Sequence, residues 1–244
     1  MINIVIPMAG RGARFAAAGY AVPKPLVPVN GRPMIELVAD NVRPAAEHRF
    51  IFIALREHLR EHGVAELLGE IAPGCEVIAL DEVTQGAACT VLLARELIDT
   101  SDPLMIANSD QWVEGEIDAY LARLDDPAVR GLIMTMWADH PKWSYARIGP
   151  DGTVSEVVEK EVVSNEATVG IYNFRCGSDY VRAAEAMIAG ERRVNGEFYV
   201  APVYNELIAE GARVVFHNVG AVGDGMYGLG TPEDLEQFLA SGHA

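Results

Sequence analysis

Aspartate and glutamate are missing from the first 35 residues, although the 244-residue chain carries a formal net charge of −16. That window instead contains four cations, Arg11, Arg14, Lys24 and Arg32. Small residues and clustered cations directly after an apolar strand suit a polyphosphate, because glycines let backbone N–H groups approach the oxygens and the cations add positive charge. Carboxylates in that loop would repel such a ligand. The N-terminal segment therefore predicts a nucleotide site.

Cysteines, membrane-length apolar runs and paired metal ligands are also scarce. The three cysteines, Cys75, Cys89 and Cys176, lack metal-type spacing, which suits a reduced cytoplasm better than a disulfide scaffold. The six histidines are scattered, and none pairs with a second ligand at metal spacing. No apolar run is long enough for a membrane span, and the N-terminus lacks a signal-peptide pattern. We expect a cytoplasmic protein without a membrane partner, and its acidic excess argues against nucleic acid as a partner.

Short apolar runs alternate with amphipathic stretches over residues 1–130. Runs rich in Ile, Val and Leu predict strands at 2–7, 49–55, 75–80 and 104–107, and the stretches between them predict helices at 34–42, 57–71 and 87–98. This alternation implies an α/β fold with a mostly parallel, doubly wound sheet. Ligands on such sheets bind at the carboxyl ends of the strands, so we expect a site in the loops that begin at Met8 and Asn108.

The pattern changes after residue 130. Turn sequences such as Gly-Pro-Asp-Gly at 149–152 join strand-like runs, which favours a partly antiparallel extension of the sheet. Strands are predicted at 131–137, 145–148, 154–159, 167–174 and 213–217, and helices at 179–189 and 200–210. A last helix is expected after Thr231, because a Thr N-cap followed by Pro232 and two acids is typical of a helix start. Trp137 and Trp143 are predicted to pack in the core, and a place in the wall of a pocket is the alternative.

The loop after the first strand reads Met-Ala-Gly-Arg-Gly-Ala-Arg-Phe at residues 8–15 and is followed by Pro-Lys-Pro-Leu at 23–26. It is not the dinucleotide fingerprint, whose last glycine is replaced by Phe15, and it lacks the Gly-Lys-Ser/Thr of a P-loop. Together with Val-Pro-Val-Asn-Gly-Arg-Pro-Met-Ile at 27–35, the two segments resemble the signature of the sugar-phosphate nucleotidylyltransferases. The resemblance is greatest to small capsule-biosynthesis members, including phosphoheptose guanylyltransferase-like and phosphoglutamine cytidylyltransferase-like proteins.

This resemblance implies a Rossmann-like, doubly wound mixed sheet in a single domain of residues 1–244. Residues 1–130 would bind a nucleoside triphosphate, and residues 131–244, with the antiparallel extension, would bind a small phosphorylated acceptor. The implied reaction joins the two, typically with a sugar 1-phosphate as acceptor, and releases pyrophosphate. Its product would be a nucleotide-activated precursor for surface polysaccharide.

The resemblance also assigns roles in the N-terminal loop. Ala9, Gly10 and Gly12 would contact the nucleotide. Arg14 and Lys24 would be the catalytic cations that hold two anions together and neutralise the leaving group.

Magnesium is the implied cofactor. Asp110 follows the strand at 104–107, and a carboxylate at the carboxyl end of a parallel strand can hold Mg²⁺ that bridges phosphates. The resemblance places a metal-binding Asp there, although Ser-Asp-Gln replaces the commoner Gly-Asp pair. Many relatives have a second metal-binding Asp at the position of Gly228, two residues before Gly230. Asp224 is therefore the candidate for the second metal ligand, and a plain turn residue is the alternative.

Two further segments match the implied substrate sites. Gln85 and Gly86 match the segment that contacts the base, where a Gln amide can donate and accept and a glycine leaves room for the base. A plain helix N-terminus is the alternative for that segment. Glu159 and Lys160 resemble an acceptor-binding pair in which the lysine contacts the acceptor phosphate and the glutamate a hydroxyl. A solvated strand edge is the alternative there.

The acceptor site includes two other candidates. Gly170 follows Lys160 at the spacing of the family, and Glu197 resembles another acid that contacts the acceptor.

Other functions stay open at this level. The acceptor could be a non-sugar metabolite such as phosphoglutamine, activated by a cytidylyltransferase. A non-catalytic nucleotide-binding regulatory subunit would keep the fold, but the intact Arg14, Lys24 and Asp110 argue against it. A glycosyltransferase ranks third, because Asp110 does not lie in an Asp-x-Asp motif. A homo-oligomer is compatible with the resemblance, since related enzymes are often dimers.

Overall fold

The four apolar runs of the first half form neighbouring parallel strands, as the sequence predicts. The computed structural model describes residues 1–243. Its strands are β1 (Ile2–Pro7), β2 (Pro28–Val29), β3 (Arg32–Pro33), β4 (His48–Leu55), β5 (Glu76–Leu80), β6 (Leu104–Ala107), β7 (Gln111–Val113), β8 (Val129–Trp137), β9 (Ser144–Ile148), β10 (Val154–Glu159), β11 (Glu166–Phe174), β12 (Arg213–Val222) and β13 (Gly225–Gly228). Its α-helices are α1 (Ala13–Ala17), α2 (Met34–Asn41), α3 (Arg56–Glu61), α4 (Val64–Ile71), α5 (Ala87–Leu92), α6 (Arg95–Ile98), α7 (Ile117–Leu121), α8 (Gly177–Ala189), α9 (Tyr204–Ala209) and α10 (Pro232–Ser241).

Eleven strands of the described chain join in one mixed sheet. Their order across the sheet is β5-β4-β1-β6-β11-β8-β12-β13-β7, with β9 paired to β11 and β10 paired to β9. The first four strands in this order, β5, β4, β1 and β6, run parallel to one another. In contrast, β11 is antiparallel to both β6 and β8. The sheet continues from the first half of the chain into the second without a break. The predicted single α/β domain with a Rossmann-like mixed sheet is confirmed.

Apolar side chains cover both faces of this sheet. Within β1, Val5 packs into one cluster with α5 and α8, and Ile4 and Ile6 pack into another with α2 and α4. Alternate residues of a strand face opposite sides, so a strand covered by helices on both faces must be apolar throughout. A third apolar cluster, around Phe15 and Phe238, packs α1 against α10.

Several helices are shorter than the sequence predicts. The 57–71 stretch is divided at Gly63, whose left-handed backbone has a φ of 64°. The 87–98 stretch is divided into α5 and α6, and a 3₁₀ turn at Ala201–Val203 precedes α9. Apolar periodicity continues across these breaks, because both pieces turn their apolar side toward the same sheet. The final helix begins as predicted, with Thr231 Oγ1 accepting a hydrogen bond from Asp234 N at 3.1 Å.

The second half differs from the sequence prediction mainly at strand ends. β12 continues to Val222 because it pairs with β8 as far as Ala221, opposite Trp137. Six short elements in the two halves have no periodic pattern, and the sequence does not predict them: α1, β2, β3, β7, α7 and β13. Trp137 is 51% exposed, so its predicted place in the core is wrong. Within residues 1–243, no helix combines the length and the apolar character needed to cross a membrane.

Candidate functional site

A cavity of about 590 Å³ lies where β6 ends, which is one of the two places where the sequence predicts a site. Five predicted residues line it: Arg14, Asp110, Glu159, Lys160 and Gly170. Cavities that bind small molecules usually enclose about 300–1,000 Å³. The cavity is therefore large enough for the ligands that the sequence predicts.

Asp110, in the cavity wall, forms an ion pair with Lys24, which does not itself line the wall. Lys24 Nζ donates to Asp110 Oδ2 at 2.8 Å, and the two side chains are only 18% and 27% exposed. Burial by itself would raise the pKa of Asp110, but the charge and hydrogen bond of Lys24, together with the charge of Arg14, outweigh burial and lower that pKa. Asp110 is therefore ionised at neutral pH, and two predicted catalytic cations act on it.

The remaining cations of the acid-free window have separate environments. Arg14, on α1, is exposed and faces the cavity. Arg32 pairs with Glu36 and Asp40 of α2 rather than with the cavity. Arg11 is exposed and does not line the cavity. The window thus contributes two cations to the site, Arg14 and Lys24.

The predicted phosphate loop lies beside the cavity. Gly12 has a left-handed backbone, and a Cβ there would lie 3.1 Å from Lys24 Cβ, so the loop packs directly on the lysine segment. Gly10 is exposed, whereas Ala9 is 6% exposed and packs in the core. None of these three residues lines the cavity wall. Their contact with a nucleotide stays a prediction.

Glu159 and Lys160 end β10 at the cavity. Glu159 is 8% exposed and accepts a hydrogen bond from Ser144 Oγ. Lys160 has a left-handed backbone with a φ of 59°, its Nζ donates to Tyr199 Oη at 2.5 Å, and its N–H donates to Trp143 O at 3.0 Å. A left-handed conformation is unfavourable for lysine and persists where surrounding contacts hold it. The alternative of a solvated strand edge therefore does not hold for Glu159, and both residues are held in place.

Replacing Glu159 with glutamine is expected to raise the melting temperature at pH 7. Burial, which outweighs the opposing effects of Ser144 and Lys160, raises the pKa of Glu159. A carboxyl with a raised pKa binds its proton more tightly when folded, so its ionised form costs stability at neutral pH. This cost is relieved as the pH falls through the raised pKa.

Thermal unfolding of wild type and Glu159→Gln at pH 7 and at pH 5 measures this effect, and the difference should shrink at the lower pH. Glu161→Gln is the matched control, because Glu161 is an exposed neighbour. A lower melting temperature for Glu159→Gln at pH 7 would contradict the inference that burial of the ionised Glu159 carboxylate destabilises the folded protein.

Gly170 lies at an irregularity of β11 where the pairing register with β8 shifts. Its φ is 91°, and a Cβ would lie 2.2 Å from Asn108 Nδ2. Gly170 O also accepts a hydrogen bond from Asn108 N at 2.9 Å. Glycine is therefore required where the end of β6 meets β11, and the register shift between β11 and β8 lies at the cavity.

Gln85 and Gly86 do not line the cavity, although Ala87 does. A Cβ on Gly86 would lie 2.4 Å from Phe198 O and 2.5 Å from Phe198 N. The space that a side chain of residue 86 would need is filled by this backbone, so packing against Phe198 is sufficient reason for a glycine there. A base contact by either residue stays a prediction.

The last two predicted residues lie outside the cavity wall. Glu197 is exposed and pairs with Val194 through two backbone hydrogen bonds, but its charge acts on Glu159 and Lys160. Asp224 is exposed in the turn between β12 and β13 and does not line the cavity. The structure therefore does not bring Asp224 together with Asp110.

Sequence reasoning missed several residues of this cavity. Lys142 Nζ lies 4.6 Å from the centre of the Trp143 ring, and both side chains line the wall. Trp143 is partly buried and also packs against the cluster that contains Ile4 and Ile6, so both the core prediction and the pocket-wall alternative hold for it. Gln111 is 2% exposed, and its Oε1 has no hydrogen-bond partner among the described residues. Asp234, on α10, also lines the wall. Its position three residues after the N-cap was attributed to helix capping alone, which hid its second environment.

Comparison with known proteins shows the family to which this chain belongs. The family model described as "Nucleotidyl transferase" matches residues 4–197, which is most of the chain. The chain belongs to the nucleotidyl transferase family. The matched segment contains the N-terminal loop, Asp110, Glu159, Lys160 and Gly170. Asp224, Gly228 and α10 lie beyond it, so the family match does not extend to the C-terminal carboxylates.

Two kinds of relatives resemble this nucleotidyl transferase. The bifunctional protein GlmU of Burkholderia mallei (strain SAVP1) is 30% identical over 225 residues, which cover 88% of this chain and 46% of that protein. The chain thus spans about half the length of the curated relatives it matches. A nucleoside-diphosphate-sugar pyrophosphorylase from Vibrio cholerae RC9 superposes with a TM-score of 0.83 at 26% identity, covering 97% of this chain and 99% of the other. A UDP-glucose pyrophosphorylase from Acinetobacter baumannii, at 18% identity, shares the fold with a TM-score of 0.73, covering 98% and 92%.

Proposed function

We propose that this protein transfers a nucleotidyl group from a nucleoside triphosphate to a small phosphorylated acceptor, and that it releases pyrophosphate. The observation that supports this most directly is the composition of the cavity. It combines Arg14 and the Lys24–Asp110 pair with Glu159 and Lys160. Three cations, Arg14, Lys24 and Lys160, can hold two polyanions together there. The Asp110 carboxylate suits a metal ion, and the Glu159 carboxylate suits a hydroxyl group.

The chemistry requires no covalent intermediate on the protein. A phosphate oxygen of the acceptor attacks the α-phosphorus in line and forms a new P–O bond. The bond from the α-phosphorus to the bridging oxygen breaks, and that oxygen leaves with pyrophosphate. The protein positions the reactants and stabilises charge on the leaving group. In this proposal Arg14 and Lys24 hold the triphosphate, Lys160 holds the acceptor phosphate, and Glu159 accepts a hydrogen bond from an acceptor hydroxyl.

Magnesium fits the residues of the cavity. Asp110 Oδ2 accepts from Lys24, and no described group donates to its Oδ1, which leaves an ionised oxygen for a cation. Residues 1–243 contain no group of three or more His, Cys, Asp or Glu side chains arranged to hold a metal. Nucleotide-bound Mg²⁺ needs no such group, because one or two carboxylates suffice when phosphates and water supply the other ligands. When bound, Mg²⁺ would neutralise charge on the phosphates.

The finer assignment also belongs to this proposal. A sugar 1-phosphate is the proposed acceptor, because pyrophosphorylases of sugar nucleotides are among the proteins that this chain resembles. The N-terminal signature favours a capsule-type member that supplies a precursor for surface polysaccharide in the cytoplasm. A phosphoglutamine-like acceptor with CTP is the alternative, and a homo-oligomer is compatible with either.

A pyrophosphate-release screen tests the proposal. The purified protein is incubated with Mg²⁺ and each of the four nucleoside triphosphates, crossed with sugar 1-phosphates, phosphoglutamine and other phosphorylated metabolites. We expect release with one preferred pair, loss of release after chelation by EDTA, and restoration by added Mg²⁺. The Asp110→Asn protein, purified identically, controls for contaminating enzymes. Absence of release from every pair would overturn the proposed activity.

A further inference from the structure

Two glycines separate two carboxylates at the cavity. Gly228 and Gly230 both line it, whereas Leu229 between them is fully buried in the cluster around Phe15 and Phe238. A Cβ on Gly230 would lie 2.9 Å from Asp110 Oδ2, and a Cβ on Gly228 would lie 3.4 Å from Asp234 Oδ2. The two carboxylates therefore lie beside the same three-residue segment, next to the two residues that have no side chain.

The backbone ties this segment to Asp110. Leu229 N donates to Asp110 O at 2.7 Å, and Gly228 pairs with Gln111 across β13 and β7. Directly paired residues of antiparallel strands point to the same face of the sheet, so Gln111 and Gly228 both face the cavity. The unpartnered Oε1 of Gln111 is a further buried oxygen on this face.

Although Arg14 lines the same cavity, the Asp234 carboxylate forms no ion pair with any residue in 1–243. Its backbone N–H donates to Thr231, but no group in residues 1–243 hydrogen-bonds or ion-pairs with its side-chain oxygens. Asp110, in contrast, is neutralised by Lys24. Two carboxylates in one cavity wall, only one of which is paired with a cationic side chain, are an arrangement that suits a divalent cation.

We infer that Asp234, and not Asp224, is the second carboxylate that binds the divalent cation with Asp110. The Asp234 carboxylate extends from the first turn of α10 and lies beside Gly228, where no side chain occupies the space. This inference rests on the proposed function, in which the cavity binds a metal–triphosphate complex. It adds the residue that completes the acidic part of that site.

The competing interpretation is that Asp234 only stabilises the N-terminus of α10. Acids in the first turn of a helix interact favourably with its dipole. Glu233 occupies the same turn, is exposed and does not line the cavity. Glu233→Gln therefore removes the same charge from the same turn without touching the cavity, and it is the matched control for Asp234→Asn.

Binding of Mn²⁺, used in place of Mg²⁺, tests the inference without any need for turnover. Electron paramagnetic resonance of free Mn²⁺ gives the dissociation constant for the full chain, with and without inorganic pyrophosphate, against a protein-free pyrophosphate control. We expect Asp234→Asn and Asp110→Asn each to weaken Mn²⁺ binding by about tenfold or more, which is the usual effect of disturbing a metal site. Glu233→Gln and Asp224→Asn should bind Mn²⁺ as wild type does.

Several results would overturn the assignment of Asp234. These are unchanged Mn²⁺ binding in Asp234→Asn, equal weakening in Asp234→Asn and Glu233→Gln, weakening in Asp224→Asn alone, or no Mn²⁺ binding by the wild type with pyrophosphate. Melting temperatures of the variants show whether each is folded at the temperature of the titration. If the Mn²⁺ titrations give the expected result but the screen detects no pyrophosphate release, the proposed nucleotidyl transfer is overturned and the metal site is not.

Discussion

Replacing Asp110 with asparagine is expected to lower kcat/KM for pyrophosphate release by about 10³-fold or more, in the range known for lost charge stabilisation in phosphoryl transfer. Asparagine keeps the size of the side chain but not its charge. It can neither balance Lys24, which lies 2.8 Å away, nor attract a divalent cation as strongly. Steady-state kinetics at saturating Mg²⁺ with the preferred substrate pair measure the effect. Circular dichroism and the melting temperature show whether the variant is folded.

The partner of Asp110 gives a second arm of the same test. Lys24→Met is expected to lower kcat/KM by about 10²–10³-fold through lost stabilisation of phosphate charge. It also leaves the half-buried Asp110 carboxylate without its ion pair, which should cost about 1–3 kcal/mol of stability. Arg11→Met removes a nearby cation that is exposed, does not line the cavity and forms no ion pair with Asp110, so its kcat/KM should stay close to that of wild type. Rates near wild type in Asp110→Asn or Lys24→Met would remove the pair from the mechanism.

Replacing Gly86 with alanine is expected to lower the free energy of unfolding by about 3 kcal/mol or more, since it combines backbone strain with broken hydrogen bonds. The Cβ would enter the space of Phe198 O and N, at a φ of 133°. Ala88 N donates to Phe198 O at 3.0 Å, and Phe198 N donates to Gln85 O at 2.9 Å. Separating these backbones breaks both bonds. It also shifts Ala87 and Tyr199, which line the cavity, so activity should fall as well.

Urea unfolding of Gly86→Ala and Gly69→Ala measures this effect with an internal control. Gly69 is exposed within α4, and a Cβ there would meet nothing within 4 Å. In a helix interior, alanine is favoured over glycine by about 1 kcal/mol. The same substitution should therefore stabilise the protein at position 69 and destabilise it at position 86. A Gly86→Ala protein as stable as wild type would show that Gly86 is not required by packing.

Most of the sheet could be predicted from local sequence. The run at β6 is continuously apolar, and the run at β1 is apolar except at Asn3, because both faces of each strand are covered. This pattern can be recognised without tertiary information. The breaks at Gly63 and between α5 and α6 could not be located, because apolar periodicity continues through them. β7 and β13 have only three and four residues, and their pairing with each other joins parts of the chain that are distant in sequence.

The candidate site shows a similar division. Arg14, Lys24, Asp110, Glu159 and Lys160 were predicted from motifs, and the structure brings them to one cavity or its edge. Asp224 was chosen because it is the acid nearest in sequence to Gly228, but the turn that holds it is exposed and lies away from the cavity wall. Asp234 was assigned only to helix capping, since a local pattern cannot show which way a first-turn carboxylate faces.

The sequence by itself determined the α/β class, the acid-free phosphate loop and the family signature, because apolar periodicity, charge and motif spacing are properties of neighbouring residues. Only the tertiary structure decided that Lys24 pairs with Asp110, that Gly86 packs against Phe198, and that Asp234 lies beside Gly228. Each of these contacts joins separate elements, and it depends on how the strands register and how the helices pack on them. The residues proposed to hold the phosphates could therefore be predicted from the chain, whereas the second carboxylate proposed for the cation site could be found only in the fold.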